Sequence, residues 1–355
     1  MKASRIVKPK EQLQIEEIKT SIPKGSQVLI KVASSGVCHS DIHLWEGGYK
    51  GPDDTFLKTV DRGVKYPLTP GHEIAGFVGN LGEESRGKFN KGDKVIVYPW
   101  IGEGLCPACI EGEENLCDKP RSLGVYQDGG YAEYVLVPSY RYLVKFDDKK
   151  INMDVAATLP CSSLTAYNAV RNARLEPYHT VVIVGAGGLG LGLMAIQLAK
   201  AIFGARIIAL DLDDDKLKTA QENGADITIN SQNEDPIKAI MESTSNLGVD
   251  AVVDFVNSTK SVQADMQFLR RRAKLVFVGL YGGELKINLI TMPTKAYRLI
   301  GSYTGTLNEL VGLVSLAEKG VINPVVTNRF KLEEATKALS ELKKGNIIGR
   351  GVINP

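Results

Sequence analysis

The stretch VVIVGAGGLG, residues 181–190, decides the fold. Its four apolar β-branched residues predict a buried strand, and the glycines that follow predict a tight turn into a helix. The G-x-G-x-x-G spacing lets the backbone approach a pyrophosphate at the amino end of that helix. The predicted cofactor-binding residues of this turn are Gly185, Gly187, Gly188, Leu189 and Gly190.

The sequence around this turn alternates between strand-like and helix-like segments. Two helical stretches are predicted at 193–202 and 214–222. The predicted buried parallel strands are 181–184, 206–210, 251–255, 274–278 and 298–302. Such a βαβ alternation is typical of the α/β class, with a doubly wound parallel sheet of the Rossmann type.

An acidic residue, Asp211, ends the second of these strands, about 20 residues beyond the turn. An acid at that place accepts hydrogen bonds from the adenosine ribose hydroxyls and repels a 2′-phosphate, so NAD is favoured over NADP. Asp211 could instead cap the next helix, although Asp213 to Asp215 could also do that. Lys216 could reach the same ribose, or it could be a plain surface lysine.

The first 150 residues have a different texture, with short β-type runs separated by glycine and proline turns. They predict a mostly antiparallel, barrel-like domain with long loops. We expect residues 1–156 to form this catalytic domain, 157–299 the dinucleotide domain, and 300–355 to return to the first. The active site is expected in the cleft between them.

Composition excludes several classes of protein. The 355 residues carry 43 Lys and Arg against 41 Asp and Glu, a formal net charge of +2. The densest basic cluster, at 270–272 with Lys274, is too short for a nucleic-acid track and predicts a solvated helix end. The apolar window 181–199 contains too many glycines for a membrane helix, and no secretory signal is seen. We therefore expect no nucleic-acid and no membrane partner.

Five cysteines, an odd number, favour thiolate ligands over disulfides and a cytoplasmic location. Cys106, Cys109 and Cys117 form a C-x2-C-x7-C pattern, which predicts a structural Zn²⁺ site in a lobe at about 100–120. Such a site needs a fourth ligand, and Glu103 lies three residues before Cys106. Its carboxylate is the natural candidate, unless it is simply a solvated acid.

The remaining cysteines, Cys38 and Cys161, lie far apart in sequence, with His72 between them. Two thiolates and one imidazole make a neutral site with Zn²⁺, and an open fourth position is the composition of a catalytic zinc centre. Spacing alone does not establish this trio, because a single histidine is more often structural and either cysteine could simply be buried.

The chain resembles the zinc-containing, medium-chain alcohol dehydrogenases over essentially its whole length, and is most similar to their archaeal, NAD-dependent branch. The glycine turn, the cysteine lobe and several further segments carry this resemblance. Those further segments are GVCHSDIH at 36–43, GHEIAG at 71–76, GDKV at 92–95 and CSSLT at 161–165.

The resemblance implies a GroES-like catalytic domain and assigns roles to residues. Cys38, His72 and Cys161 are implied to ligate the catalytic zinc, with Glu73 near the metal. The implied proton relay is Ser40 and His43. The remaining implied contacts are His39 and Arg350 with the pyrophosphate, Thr165 with the nicotinamide, and Trp100 and Ser122 in the substrate pocket.

Two positions bear on the comparison with this family. Glu103 stands where many members have a cysteine, a replacement familiar in archaeal members. Cys161 separates the chain from polyol and threonine dehydrogenases, which tend to have a glutamate there. The resemblance also implies a homo-oligomer, a tetramer rather than a dimer.

These observations predict a zinc-dependent oxidoreductase that transfers hydride between a small primary or secondary alcohol and NAD, with two zinc ions per subunit. Two alternatives stay open. One is an NADPH-dependent semialdehyde reductase with the same fold. The other is an inactive nucleotide-binding protein, against which the intact ligand trio and the relay pair argue.

Overall fold

A computed structural model describes residues 1–188 and 190–355. Leu189, predicted above as a cofactor contact, lies outside this range. Seventeen strands are described: β1 Lys2–Arg5, β2 Gln14–Glu17, β3 Val28–Gly36, β4 Gly48–Lys50, β5 Phe56–Lys58, β6 Glu73–Leu81, β7 Lys94–Val97, β8 Tyr134–Val137, β9 Leu143–Lys145, β10 Thr180–Val184, β11 Arg206–Asp211, β12 Ile227–Asn230, β13 Val249–Asp254, β14 Leu269–Phe277, β15 Arg298–Gly301, β16 Val326–Lys331 and β17 Arg350–Asn354.

Eleven α-helices are described in the same range: α1 His39–Glu46, α2 Pro107–Ile110, α3 Met153–Thr158, α4 Leu164–Ala173, α5 Leu191–Phe203, α6 Asp214–Glu222, α7 Pro236–Ser243, α8 Thr259–Asp265, α9 Thr291–Lys295, α10 Leu307–Glu318 and α11 Ala335–Lys343. A single π-helical turn, Leu159–Ser163, joins α3 to α4. No described helix combines the length and the apolar character that a membrane span requires.

The chain divides into two compact units. Unit 1 contains residues 1–48, 58–164 and 305–355, and unit 2 contains residues 49–57 and 165–304. The domain boundaries expected from the sequence, at 156/157 and 299/300, stay predictions.

Unit 2 contains a six-stranded parallel sheet in the order β12-β11-β10-β13-β14-β15. From β10 the chain adds β11 and β12 on one side of the sheet. It then crosses back to add β13, β14 and β15 on the other side. This is the doubly wound topology that the glycine turn predicts, and ligands bind such sheets at the carboxyl ends of the strands where the order reverses. The central strands are apolar along their length because helices cover both faces; Val182, Ile208 and Val252 are completely buried.

The sequence predicted a helix end for the basic cluster at 270–272, but this cluster is part of strand β14. The pairing of β13 with β14 shifts register there, and Arg272 takes a positive φ of 66°. Arg270 forms an ion pair with Asp250. Arg271 and Arg272 remain exposed at this irregularity, so the cationic stretch lies in a strand without burying its charges.

Unit 1 contains a mostly antiparallel seven-stranded sheet in the order β16-β17-β3-β6-β7-β9, with β8 also paired to β3. Strands β16 and β17 are parallel to each other and come from the end of the chain. Strand β17 pairs with β3, so the carboxyl-terminal segment joins the sheet of unit 1. The long β3–β6 pairing positions the candidate site, since Gly36 at the end of β3 lies opposite Glu73 at the start of β6.

Candidate active site

Four side chains that can ligate a metal meet in unit 1: Cys38, His72, Glu73 and Cys161. One donor atom from each lies within 4.8 Å of the others, and all four residues are buried. Cys38 follows β3 and His72 precedes β6, so the antiparallel pairing of these strands brings the two together. The sulfurs of Cys38 and Cys161 are 4.0 Å apart.

The third candidate ligand, Cys161, is positioned by the π-helical turn Leu159–Ser163. Such turns are rare and are frequently found at functional sites. At the end of β3, a side chain on Gly36 would overlap the Glu73 carboxylate, because its Cβ would lie only 1.9 Å from Oε2. Glycine at position 36 therefore makes room for Glu73 beside the cysteines.

These residues fit a zinc ion. Both ring nitrogens of His72 are buried and have no hydrogen-bond partner among the described residues. A buried polar atom without a partner is unfavourable, and coordination to a metal would satisfy one nitrogen. Two thiolates and an imidazole are the protein ligands of alcohol-dehydrogenase-type zinc centres. A hydrogen bond from the Cys161 thiol holds the pKa of Cys38 well below its usual value, which favours a thiolate.

Sequence reasoning missed Asp41, which is completely buried and organises the site. Its carboxylate accepts hydrogen bonds from the backbone N–H groups of Cys38 (3.0 Å) and Gly71 (3.1 Å) and from the Tyr131 hydroxyl (3.0 Å). Asp41 Oδ1 also lies 3.4 Å from His72 Nδ1. The available signal was the acid at the third position of α1, where a side chain commonly bonds back to the helix cap.

The Asp41 contact orients the histidine. With the carboxylate beside Nδ1, the other ring nitrogen, Nε2, would be the one to ligate a metal. Burial disfavours the charged imidazole, but the nearby Asp41 and Cys38 outweigh it and hold the pKa of His72 well above its ordinary value. The same negative surroundings favour a bound dication, which would take the place of the proton on the ring.

The Glu73 carboxylate accepts hydrogen bonds from Arg350 and Ser162. The Arg350 guanidinium donates to both of its carboxylate oxygens, with 3.0 Å from Nε to Oε2, and Ser162 N donates to Oε1 at 3.1 Å. Arg350 is only 1% exposed. Burial raises the pKa of Glu73, and the arginine opposes this shift. The expected contact of Arg350 with a pyrophosphate, like the role of Glu73 at the metal, stays a prediction.

Helix α1 contains the three residues assigned to the relay and the cofactor. Ser40 and His43 are three residues apart, so they lie on the same side of the helix. The rings of His39 and His43 are 6.4 Å apart. Burial lowers the pKa of His43 and lowers that of His39 to about 4, so both are neutral at pH 7. Their roles stay predictions.

Trp100 and Ser122, the predicted pocket residues, are both buried in unit 1. The Trp100 ring lies 5.2 Å from that of His72, and its indole N–H donates to the Pro160 carbonyl at 2.9 Å. Trp100 thus lies beside His72, a candidate ligand, and bonds to Pro160, the residue before Cys161. Whether either residue contacts a substrate stays a prediction.

A second group of sulfurs forms the lobe. The Sγ atom of Cys106 lies 3.5 Å from that of Cys109 and 3.7 Å from that of Cys117, and the three form one compact group. Glu103 does not join it with its carboxylate, which lies 3.9 Å from Lys119 Nζ, although its backbone N–H donates to Cys117 Sγ at 3.3 Å. The three sulfurs fit a structural zinc, and Glu103 as its fourth ligand stays a prediction.

The glycine turn lies between β10 and α5 in unit 2. Gly185 and Gly190 have φ angles of 75° and 71°, in the region that favours glycine. A Cβ on Gly187 would lie 2.4 Å from Lys216 Cβ, so this glycine permits close packing against α6. Lys216 therefore lies beside the turn, where its predicted role requires it. Its contact with the cofactor stays a prediction. Thr165, predicted beside the nicotinamide, is buried in the first turn of α4.

Asp211 ends β11, and its Oδ2 accepts the Gly187 N–H at 2.9 Å. The neighbouring helix is capped by Asp213, whose Oδ1 accepts the Lys216 N–H at 3.0 Å. Capping therefore does not require Asp211, which remains at the carboxyl edge of the sheet beside the turn.

A buried zinc-type ligand set and a dinucleotide-binding sheet in one chain define a zinc-dependent dehydrogenase. The chain matches the family model of the alcohol dehydrogenase GroES-like domain over residues 24–148 and that of the zinc-binding dehydrogenases over 190–319. It belongs to the zinc-binding alcohol dehydrogenase family, which confirms the resemblance seen in the sequence.

Relatives from archaea match over the full length of both chains. The chain is 46% identical to the NAD-dependent alcohol dehydrogenase of Sulfurisphaera tokodaii and 44% identical to that of Saccharolobus solfataricus. The crystal structure of the alcohol dehydrogenase of Aeropyrum pernix superposes with a TM-score of 0.90 at 36% identity, with both chains fully covered. The predicted similarity to the archaeal branch and the predicted fold class are confirmed.

Proposed function

We propose that this protein is an NAD-dependent alcohol dehydrogenase, which oxidises a primary or secondary alcohol and reduces the corresponding aldehyde or ketone in reverse. The observation that carries the proposal is the buried group of Cys38, His72 and Cys161, in which the histidine nitrogens have no hydrogen-bond partner among the described residues. The names of the archaeal relatives support the same activity.

In this proposal Cys38, His72 and Cys161 hold the catalytic zinc, with the Glu73 carboxylate beside them. When bound, Zn²⁺ supplies Lewis acidity, which lowers the pKa of an alcohol hydroxyl. The protein's contribution is to present ligands whose charge balances the dication. Asp41 fixes the orientation of His72, and Arg350 holds the Glu73 carboxylate in an ion pair.

The proton of the alcohol leaves through α1. Ser40 accepts it, and His43 passes it to solvent. His43 suits this role because burial lowers its pKa, so it is neutral and able to accept a proton at pH 7. His39 and Arg350 are proposed to contact the cofactor pyrophosphate, and Thr165 the nicotinamide ring, which would supply the hydride acceptor.

The cofactor is proposed to bind at Gly185, Gly187, Gly188 and Gly190, with Lys216 beside the turn. Asp211 selects NAD over NADP, because its carboxylate lies beside the turn and would repel a 2′-phosphate. A second zinc, held by Cys106, Cys109 and Cys117 with Glu103 as the proposed fourth ligand, stabilises the lobe. Trp100 and Ser122 line the substrate pocket.

The proposed assembly is a tetramer rather than a dimer. A tetramer with D2 symmetry needs more than one self-complementary surface. Unit 2 offers the edge strand β15 near Leu289 and Ile290, which are 79% and 71% exposed. Unit 1 offers Leu105 and Ile110 on the lobe, 81% and 76% exposed. Light scattering coupled to size-exclusion chromatography tests this.

We also propose a cytoplasmic location. All five cysteines are free thiols, and all five would have to remain reduced to hold the two proposed zinc ions. The reducing cytoplasm preserves such thiols.

The function is tested by turnover of ethanol, benzyl alcohol and succinic semialdehyde with NAD(H) and with NADP(H), using zinc-loaded protein. The proposal expects turnover of an alcohol with NAD as the preferred cofactor. Efficient reduction of the semialdehyde with NADPH alone would identify a semialdehyde reductase instead. Binding of NADH without turnover of any alcohol would identify an inactive nucleotide-binding protein.

A further inference from the structure

Two acidic side chains of unit 2, Asp254 and Asp265, are buried at the ends of a strand and of the helix that follows it. Asp254 is the last residue of β13 and is 0% exposed, and Asp265 is the last residue of α8 and is 1% exposed. Neither belongs to the metal groups or the glycine turn described above. Two carboxyl groups in one buried place are unfavourable if both are ionised, so their partners decide their charge.

Asp254 has the partners of an ionised carboxylate. Its Oδ1 accepts the backbone N–H groups of Val256 and Asn257 at 2.7 and 2.8 Å. Its Oδ2 accepts the Ser261 hydroxyl at 2.7 Å. Hydrogen bonds of this kind favour the charged form. Together they hold the turn that follows β13, in which Asn257 takes a positive φ of 59°.

Asp265 has no such partners. Neither carboxylate oxygen accepts a hydrogen bond from a donor among the described residues. Asp265 lies four residues after Ser261 on α8, so it is on the same side of the helix as the hydroxyl that donates to Asp254 Oδ2. Burial and the charge of Asp254 raise the pKa of Asp265 well above its usual value. A neutral carboxyl group can donate to a carboxylate, whereas a second carboxylate would repel it.

The turn held by Asp254 lies against the dinucleotide-binding glycines. The Val256 side chain is 3.1 Å from the position of a Cβ on Gly185, and Phe255 N donates to the Val184 carbonyl at 3.1 Å. On its other side, the Asn257 amide donates to the Gly279 carbonyl at 2.8 Å. The turn at 255–258 therefore forms part of the carboxyl edge where a dinucleotide binds such sheets.

We propose that the Asp265 carboxyl group donates a hydrogen bond to the Asp254 carboxylate, and that this carboxyl–carboxylate pair is a positioning device that holds the 255–258 turn in its cofactor-binding conformation. The part that concerns the cofactor rests on the proposed function. Neither residue is catalytic, because each acts through the turn. The shared proton lets Asp254 retain all three of its donors beside a second buried acid.

Two substitutions separate this role from mere packing. Asp265→Asn keeps a donor of the same shape but cannot lose a proton, whereas Asp265→Leu removes the donor. Thermal unfolding of the zinc-loaded proteins is measured from pH 5 to 8. The raised pKa means that the folded wild type retains a proton that the unfolded chain releases, so its stability falls with rising pH relative to Asp265→Asn. We expect a relative loss of about 2 °C per pH unit.

Cofactor affinity provides the second readout, by fluorescence titration with NADH at pH 7. Asp265→Asn is expected to bind within about twofold of the wild type, and Asp265→Leu about tenfold more weakly, the size of one hydrogen bond to a charged group. Parallel pH dependence in the wild type and Asp265→Asn would overturn the shared proton. Equal NADH affinity in all three proteins would overturn the positioning role.

The two proposals fail in different ways. A wild-type protein that binds no NADH would overturn the dinucleotide site itself and, with it, the positioning role. The comparison of pH dependence needs no cofactor, so it decides the shared proton in either case.

Discussion

The Asp41 carboxylate lies 3.4 Å from Nδ1 of His72, and both side chains are completely buried. Asp41 also accepts from the backbone N–H of Cys38, so one carboxylate contacts two of the proposed zinc ligands. The metal site therefore depends on a residue that holds no metal itself.

Replacing Asp41 with asparagine is expected to weaken zinc binding at the catalytic site by about 10- to 100-fold, as for other partners of metal-bound histidines. The amide removes the charge that orients His72 and favours its attachment to a dication. The measurement is zinc release to a chelator under native conditions. Asp61→Asn, the same change at an exposed position, serves as the control. Equal release rates in both variants would exclude an orienting role.

We expect the effects of Glu73 and Arg350 substitutions on the free energy of unfolding to be strongly coupled. Arg350→Leu leaves a buried carboxylate without its cation, which typically costs about 3–5 kcal/mol of unfolding free energy. Adding Glu73→Gln to this variant should restore part of the loss, because the uncompensated charge is gone. Chemical denaturation of the single and double variants measures this coupling. A double variant less stable than Arg350→Leu would contradict it. Removal of the exposed Lys337, which pairs with Glu334, is the control and should change little.

Asp211 and Asp213 are two residues apart, but we expect their substitution to have different effects, on cofactor use and on stability respectively. Asp211→Ala should raise the KM for NAD by roughly 10- to 100-fold, the loss of a hydrogen bond to a charged group, and should improve the use of NADP. Asp213→Ala removes the cap of α6 and should cost about 1 kcal/mol of stability without altering cofactor preference. Steady-state kinetics with both cofactors checks the pair. A change of preference caused by Asp213→Ala instead would reverse the assignment.

The pH dependence of alcohol oxidation is expected to report His43. Because burial lowers its pKa, His43 remains neutral and able to accept a proton below the ordinary imidazole value of about 6.5. The acid limb of kcat/KM should therefore fall below that pH, and His43→Gln should remove it. His179→Gln, a change at one of the four histidines in the chain, should leave the limb in place. An acid limb that persists in His43→Gln would show that another group carries the proton.

Local patterns predicted much of the fold. Strands β10 and β11 and helix α6 come from apolar runs, glycine turns and capping acids that are contiguous in sequence, and the structure has them within a residue or two. For the basic stretch at 270–272 the charges correctly indicated solvent, since Arg271 and Arg272 are exposed, but the predicted helix end was wrong because the strand there has an irregular register that no local pattern encodes.

The candidate site was less accessible to sequence reasoning. The family resemblance, rather than spacing, brought Cys38, His72 and Cys161 together. Asp41 was missed because its role depends on a loop that ends at Gly71 and on the Tyr131 hydroxyl. The partners in the Glu73–Arg350 pair are 277 residues apart, so only the pairing of β17 with β3 brings them into contact.

The most direct test of the central claim is an anomalous difference map at the zinc edge from crystals of the metal-loaded protein. We predict a peak at about 2.3 Å from the sulfurs of Cys38 and Cys161 and about 2.1 Å from a ring nitrogen of His72. A second peak should lie among the sulfurs of Cys106, Cys109 and Cys117. A map with density in the lobe alone, and none beside His72 in fully loaded and active protein, would contradict the account.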